Sequence, residues 1–176
     1  DGKLLWQKQI NRYKPKYPFG YAPSPAVYKD TVIVSVECEG IGALAAFRAD
    51  SGEQVWSTPR TGASSYSSPI VANLDGRDQV MMSGAQMVVS YDPASGKEIW
   101  KSSGPATHTC GTLVWDGDLV FASGGYPQTA TMAINRKTGK IVWQNKDKSY
   151  EQSMLAVDGY LYALTDKGNG ICWNAQ

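Results

Sequence analysis

Short apolar stretches run along the whole chain, and a turn containing Asp interrupts each of them after a few residues. Four segments share this plan of apolar strand, turn and second apolar strand: SPAVYKDTVIV (24–34), SPIVANLDGRDQVMM (68–82), CGTLVWDGDLVF (110–121) and SMLAVDGYLYAL (153–164). Asp-Gly is a strong hairpin-turn signal because glycine adopts a positive φ without strain. The pattern therefore predicts four β-hairpins.

A third apolar stretch follows each predicted hairpin. These stretches are ALAAF (43–47), MVVSY (87–91), TMAIN (131–135) and GICWN (170–174). A glycine turn and a fourth stretch ending in tryptophan come next, as in KTGKIVW (137–143). No helical period of apolar residues is sustained anywhere. Each repeat is thus expected to form four antiparallel strands.

The tryptophans that end the fourth stretches mark the period of the repeat. Trp6, Trp56, Trp100 and Trp143 are 50, 44 and 43 residues apart. This period is the size of one propeller blade. A single four-stranded blade cannot bury both of its faces, so blades must pack against one another. The predicted fold class is all-β, a β-propeller with four four-stranded antiparallel blades.

The two chain ends complete the repeat when they are joined. CWNAQ (172–176) followed by DGKLLW (1–6) aligns without a gap with AFRADSGEQVW (46–56). We therefore expect the N-terminal segment to form the outermost strand of the last blade. The chain would then be a single domain, 1–176, whose repeats cover about 7–56, 57–100, 101–143, and 144–176 plus 1–6.

Composition narrows the classes of partner. The chain has 17 basic and 16 acidic residues, which argues against nucleic acid, because phosphate binding needs a concentrated basic surface. No apolar run approaches the roughly 20 residues that span a bilayer. The sequence shows no initiator Met and no signal peptide, so a processed form or a piece of a longer chain is expected.

The cysteines and the histidine give little sign of redox or metal chemistry. Cys38, Cys110 and Cys172 are neither adjacent nor arranged as CxxC, and we expect them to be small buried apolar residues. The chain has a single histidine, so no metal site is predicted. NLDGRDQ (73–79) gives weak calcium candidates in Asn73, Asp75 and Asp78, but the same residues make a hairpin turn unaided.

The tryptophan-ending phrase resembles the docking pattern A-x-D-x-x-T-G-x-x-x-W of the PQQ-like (quinoprotein alcohol dehydrogenase-like) β-propeller repeat family. That family includes quinoprotein alcohol dehydrogenases and the outer-membrane assembly propeller lipoprotein. Glycine and tryptophan hold in all four copies, whereas the Asp position holds strictly only at Asp92. The resemblance implies that the indole lies between neighbouring blades and that the glycine permits the turn. The docking residues are Gly2, Gly52, Gly96, Gly139, Trp6, Trp56, Trp100 and Trp143.

The resemblance also implies where a ligand would bind, namely near the central axis, on the face reached just before each innermost strand. Four axial segments lie there: YAPS (21–24), SYSS (65–68), THTC (107–110) and YEQS (150–153). Tyr66, His108 and Glu151 occupy equivalent positions and are the predicted ligand-binding residues, with Ala22 as the fourth. Imidazole suits a base near neutral pH, and a glutamate suits Ca²⁺ or a hydrogen-bond donor. Polar residues lining a wet channel are the alternative.

A quinoprotein dehydrogenase needs a larger set of residues. The resemblance implies a catalytic Asp, Ca²⁺ ligands from Glu and Asn, an Arg near the quinone and commonly an adjacent cysteine pair. The chain has no adjacent cysteines, and four blades are half the usual eight. We therefore expect no catalytic residues and no cofactor, with PQQ and Ca²⁺ as the alternatives.

Three functions follow from these observations. The first is a non-catalytic binding or scaffold module that holds a protein or a small ligand on one face. The second is a PQQ-dependent oxidoreductase or a fragment of one. The third is a half-propeller that pairs with a second copy, or with further blades, into an eight-bladed ring. The resemblance implies a periplasmic or extracellular location. The irregular segment NRYKPKYPFGYAPSP (11–25) is either a loop across the open face or a connection between blades.

Overall fold

Four antiparallel β-sheets account for all regular structure in the computed structural model, which describes residues 1–10, 19–60 and 63–176. Blade 1 comprises β1 (Ala26–Tyr28), β2 (Thr31–Cys38), β3 (Ile41–Arg48) and β4 (Gln54–Arg60). Blade 2 comprises β5 (Ile70–Leu74), β6 (Arg77–Gly84), β7 (Met87–Tyr91) and β8 (Glu98–Ser103). None of the described residues forms a helix that is long and apolar enough to cross a membrane.

Blades 3 and 4 continue the same plan. Blade 3 comprises β9 (Val114–Asp116), β10 (Leu119–Gly124), β11 (Ala130–Asn135) and β12 (Ile141–Asn145). Blade 4 has three strands, β13 (Leu155–Val157), β14 (Tyr160–Leu164) and β15 (Gly170–Asn174). In every sheet the strands follow chain order, so the prediction of an all-β propeller-like fold with antiparallel blades is confirmed.

The predicted hairpins form where the turn chemistry places them. Asp75 and Gly76 join β5 to β6 with φ values of 53° and 76°, and Asp158 and Gly159 join β13 to β14 with 52° and 78°. Positive φ at both central residues gives the turn that matches the twist of the flanking strands. The innermost strands β1, β9 and β13 are therefore short and lead directly into the long second strands.

The core lies between the blades. The second strands of blades 1 to 3 are rich in buried residues on both faces, whereas β14 alternates strictly between buried and exposed positions. Ile33 and Leu44 of blade 1 pack with Val80 and Met82 of blade 2 in one buried cluster. Similar clusters join blade 2 to blade 3 and blade 3 to blade 4.

Tryptophans of the outer strands reach across these junctions. The Trp56 indole donates a hydrogen bond to the Pro93 carbonyl of the next blade at 3.0 Å. Trp143 donates in the same way to the Ala175 carbonyl at 3.0 Å. Opposite the tryptophan of blades 1, 2 and 3 the third strand has the same register irregularity. The bulge turns the strand end, so that the ring can face the neighbouring blade.

The prediction that the N-terminal segment completes the last blade is wrong. Residues 1–10 contain no strand, and β15 pairs only with β14. Trp6 instead lies against blade 1, where its indole donates to the Ala49 carbonyl at 2.9 Å. Buried clusters join blade 1 to blade 2, blade 2 to blade 3 and blade 3 to blade 4, but among the described residues none joins blade 4 to blade 1. The four sheets therefore form an open arc, and the N-terminal segment does not complete the fourth.

Candidate functional site

The axial segments are held together by hydrogen bonds between equivalent positions of neighbouring blades. The Tyr66 amide donates to the Thr109 carbonyl at 2.9 Å, and the Gly111 amide donates to the Tyr150 carbonyl at 3.3 Å. The Ser67 hydroxyl donates to the Gly111 carbonyl at 3.0 Å. Blades 2, 3 and 4 thus present their axial segments side by side at the inner ends of the sheets.

The side chains of these segments line a depression that we call the axial cup. One part of the cup has a volume of about 310 Å³ and is lined by Phe19, Tyr66, His108, Gly125, Tyr126, Lys148 and Tyr150. The adjoining part has a volume of about 450 Å³ and is lined by Phe19, Ala22, Tyr66, Ser68, Cys110, Tyr150 and Glu151. Volumes of this size suit small ligands or a few side chains of a peptide. All four equivalent axial positions of the sequence contribute to the cup.

His108 is buried beneath the cup rather than projecting into open solvent. Its Nδ1 lies 2.5 Å from the Ser64 carbonyl oxygen, and its backbone amide donates to the Tyr126 carbonyl at 2.9 Å. A carbonyl oxygen only accepts, so Nδ1 is the protonated nitrogen in this contact. The imidazole ring also lies 5.6 Å from the Tyr126 ring, centroid to centroid. His108 therefore positions Tyr126 and ties the axial segments of blades 2 and 3 together.

Tyrosine side chains dominate the wall of the cup. A methyl group added at Gly125 would lie 2.5 Å from Tyr150 Cγ, so only glycine lets this ring press against the blade 3 loop. Burial raises the pKa of the Tyr150 hydroxyl, with a further contribution from Cys110. Phe19 meets the Tyr66 ring edge-on at 6.3 Å. The wall is thus aromatic and uncharged at neutral pH.

The charged side chains of Lys148 and Glu151 lie at the rim of the cup. Lys148 Nζ lies 2.7 Å from the Asp166 carboxylate and 5.6 Å from the centre of the Tyr150 ring. The Glu151 side chain is exposed, and no salt bridge to it is found among the described residues. Burial raises the pKa of the Cys110 thiol, so this cysteine stays protonated and is a poor nucleophile. The rim therefore offers one carboxylate that is open to a ligand.

The residues Asn73, Asp75 and Asp78 lie at the β5–β6 turn, at the opposite end of the strands from the cup. The Asn73 amide donates to Asp78 Oδ1 at 2.6 Å, and Asp75 Oδ1 accepts from the Arg136 guanidinium at 2.8 Å. These contacts stabilise the β5–β6 turn and connect it to the β11–β12 turn of blade 3, which contains Arg136. Among the described residues no three His, Cys, Asp or Glu side chains are grouped to hold a metal ion.

The donors of the cup do not fit a calcium-held quinone. Pyrroloquinoline quinone is a planar polycarboxylate, and the resemblance implies Glu and Asn ligands for Ca²⁺ with an Arg beside the ring. The described lining supplies one carboxylate, Glu151, and one cation, Lys148, which is already paired with Asp166. The described lining of the cup therefore lacks the donor set that the resemblance implies for this group.

Several residues of the cup are not predicted by the sequence. Lys148 carries no sequence signal, and Tyr150 begins an axial segment but not at the equivalent position. Tyr126 lies in the loop between β10 and β11, which only the three-dimensional packing brings to the axis. Phe19 belongs to the irregular segment 11–25, of which residues 11–18 lie outside the described part. Its described end reaches the cup, as a loop across the open face would.

Comparisons with known proteins agree with this architecture. The sequence profile of the family described as "Outer membrane protein assembly factor BamB" matches residues 1–176. The quinoprotein alcohol dehydrogenase PedH of Pseudomonas putida strain KT2440 is 43% identical over 55 residues, which are 31% of this chain and 9% of that protein.

Two solved structures show the same fold over most of the chain. BamB from Moraxella catarrhalis has a TM-score of 0.59 at 20% identity, over 83% of this chain and 43% of that chain. The computationally designed Ika4 protein has a TM-score of 0.63 at 12% identity, over 93% of this chain and 96% of that chain. The chain thus spans less than half of the natural relatives that it matches.

Proposed function

Because the chain belongs to the PQQ-like propeller family described as outer membrane protein assembly factor BamB, we propose that it is a non-catalytic binding module of that family. Its ligand is a segment of a partner protein that binds in the axial cup. A location outside the cytoplasm, in the periplasm, accords with the outer-membrane role in the family's name. The observation that carries the proposal is the convergence of Tyr66, His108 and Glu151, from the axial segments of three blades, on one aromatic depression.

The chemistry of the cup defines the kind of segment that fits. Tyrosine rings provide amphipathic contact area with little loss of side-chain entropy, as in other protein-binding surfaces. The exposed Glu151 carboxylate favours a basic group beside the inserted side chain, because Lys148 is already neutralised by Asp166. The expected ligand is therefore an extended peptide segment with an aromatic residue next to a lysine or arginine.

Calorimetry with a short peptide tests this function. The probe is a blocked Gly-Lys-Phe-Lys-Gly peptide, with versions in which Phe is replaced by Ala or both Lys by Glu as matched ligands. Tyr66→Ala is expected to weaken binding of the probe about tenfold, the effect of one lost aromatic contact of about 1.4 kcal/mol. Glu151→Gln should weaken binding at low salt and less at high salt. Val142→Ala, an exposed residue of β12, serves as the unchanged control.

If all three peptides bind equally, or if none of them binds at millimolar concentration, the cup does not recognise an aromatic-basic segment. Equal affinity of the Tyr66→Ala variant and the unsubstituted protein would place binding elsewhere.

A quinone-dependent oxidoreductase is the second candidate, and the local identity to PedH favours it. The donor set of the cup argues against it. Titration with pyrroloquinoline quinone and Ca²⁺, followed by dye-linked alcohol oxidation, decides between the two. Saturable quinone binding with turnover would replace the binding-module proposal, and absence of both would remove the enzyme.

A further inference from the structure

A small cavity lies between blades 2 and 3, at the opposite end of the strands from the axial cup. It has a volume of about 310 Å³, and its lining comes from blade 2 and from the β11–β12 turn of blade 3. Leu74 and Ile99 form its apolar wall, whereas the other lining residues are polar or charged. We call it the basal pocket. Both blades that form it have all four strands.

The Gln79 side chain supplies the first hydrogen-bond donor of the basal pocket. This lining residue is only 5% exposed, and its Oε1 accepts from the Ser90 hydroxyl at 2.6 Å and from the Trp100 indole at 3.2 Å. An indole N–H only donates, so the atom that faces Trp100 must be the amide oxygen. The amide nitrogen Nε2 therefore points away from the indole, and no hydrogen bond from it is found among the described residues. A nearly buried N–H donor is thus left for the pocket.

The Arg136 side chain supplies a second donor. This residue is 8% exposed, and its Nη2 donates to Asp75 Oδ1 and Asp118 Oδ1, both at 2.8 Å. Its Nε is buried and has no hydrogen-bond partner in the part of the chain that the structure describes. A buried N–H without an acceptor is costly for the folded state. A ligand oxygen beside this atom would therefore bind favourably.

The basal pocket has a surplus of positive charge. Arg77, Arg136 and Lys137 line it together with one carboxylate, that of Asp75. Lys137 Nζ lies 3.3 Å from Asp75 Oδ2 and 3.4 Å from Asp118 Oδ1, so two carboxylates oppose the three cations. Arg77 is exposed, and within the described ranges no ion pair to it is found. The one surplus charge suits a monoanion better than a dianion, which the two carboxylates would repel more strongly.

We propose that the basal pocket binds a small organic monocarboxylate. The ligand carboxylate accepts hydrogen bonds from Gln79 Nε2 and Arg136 Nε, and Arg77 at the pocket mouth supplies the opposite charge. The non-polar part of the ligand lies against Leu74 and Ile99. Hydrogen bonds to an ionised acceptor are about twice as strong as neutral ones, so the charge of the ligand decides its affinity. This site is independent of the axial cup, and either proposal can fail without the other.

Titration of the ¹⁵N-labelled protein with hexanoate tests the site. We expect saturable shifts of the side-chain amide signal of Gln79 and of the Nε–H signal of Arg136, with little change at Tyr66 and Glu151 in the cup. Hexanamide has the same shape without the charge and is expected to bind about tenfold more weakly. Inorganic phosphate serves as the second matched probe and should also bind more weakly than hexanoate.

Two variants that each remove one charge should change the affinity for hexanoate in opposite directions. Arg77→Gln is expected to weaken binding about threefold, and Asp75→Asn to strengthen it about threefold, since each alters one solvent-exposed charge beside the ligand. Both effects should shrink at high salt. Lys140→Gln removes an exposed charge of the same β11–β12 turn that does not line the pocket, and it is the unchanged control. Circular dichroism checks that the three variants are folded.

Several results would overturn the proposal. Unchanged Gln79 and Arg136 side-chain signals at millimolar hexanoate would show that the pocket does not bind a carboxylate. Equal affinity for hexanamide, or higher affinity for phosphate, would exclude a monocarboxylate as the preferred ligand. If Arg77→Gln and Asp75→Asn alter hexanoate binding no more than Lys140→Gln does, the charged cluster only joins the two turns.

Discussion

Contacts between a glycine and an indole ring define the junctions at the level of single residues. Gly52, Gly96 and Gly139 all have φ near 70°, and a methyl group at each would meet a tryptophan ring, that of Trp6, Trp56 and Trp100 respectively. The sequence predicted these positions because glycine and tryptophan recur together. Gly2 has the same φ but no atom within 4 Å of an added methyl group, since the N-terminal segment is not a strand of blade 4.

Substitution at Gly96 separates backbone strain from the ring contact. Gly96→Ala is expected to lower the free energy of unfolding by about 1–3 kcal/mol more than Gly76→Ala, because the new methyl group would overlap the Trp56 ring. Gly76 has φ of 76° but no neighbour within 4 Å, so its substitution reports only the strain, about 1–2 kcal/mol. Urea unfolding of the two variants measures the difference. Equal losses of unfolding free energy in the two variants would show that the contact between Gly96 and the Trp56 ring is not tight.

A buried ion pair in blade 1 is the feature that sequence reasoning could least foresee. Arg60 Nε lies 2.5 Å from Glu37 Oε1, and Arg60 Nη1 lies 2.5 Å from the Tyr91 hydroxyl. Both charged side chains are at most 3% exposed. Burial raises the pKa of the Glu37 carboxyl, and the Arg60 guanidinium opposes this shift. Sequence alone shows Glu37 near a strand end but not the arginine that faces it from two strands away.

Substitution of Glu37 should destabilise the protein strongly, because it leaves Arg60 charged, buried and with one fewer partner. Glu37→Ala is expected to lower the free energy of unfolding by about 3–5 kcal/mol. Glu39→Ala, at an exposed position in the turn after β2, should change it by about 0.5 kcal/mol or less. Equilibrium unfolding in urea compares the two. Similar stabilities would mean that the pair is open to water in solution.

At the level of elements, the succession of short apolar stretches and of turns that contain Asp or Gly was sufficient to predict most strands. The segments 43–47, 87–91, 131–135 and 170–174 fall within β3, β7, β11 and β15. The N-terminal strand is the exception, and the reason is physical. Alignment shows that residues 1–6 have the pattern of an outer strand, but the position of this segment depends on tertiary contacts such as that of the Trp6 indole with the Ala49 carbonyl.

The outer-strand tryptophans should contribute far more stability than a tryptophan on the blade surface. Trp100 is buried between blades 2 and 3, and its indole donates to Gln79 Oε1 at 3.2 Å. Trp100→Ala is expected to lower the free energy of unfolding by about 3–5 kcal/mol. Trp115→Ala, at a position 40% exposed on β9, should lower it by about 1 kcal/mol. Loss of the same free energy in both would argue against inter-blade packing as the main stabilising contact.

At the level of the whole molecule, the arc brings residues that are distant in sequence to one face. The three polar axial residues were predictable, because the repeat places Tyr66, His108 and Glu151 at equivalent positions. Their chemical surroundings were not predictable. The burial of His108 and the place of Tyr126 in the wall of the cup depend on the bridge between these two residues, which joins the axial segment of blade 3 to the β10–β11 loop. The sequence therefore predicted where the cup lies but not that its wall is mainly aromatic.

The central claim is that the aromatic axial cup, and not the exposed apolar face of blade 4, is the peptide-binding face. Amide chemical shifts of the labelled protein, recorded during titration with the Gly-Lys-Phe-Lys-Gly peptide, test it most directly. The account predicts saturable shifts that cluster at Tyr66, Gly125, Tyr126 and Glu151, with little change along β14 and β15. Shifts confined to Tyr160, Tyr162 and Leu164, with the cup unchanged, would contradict it.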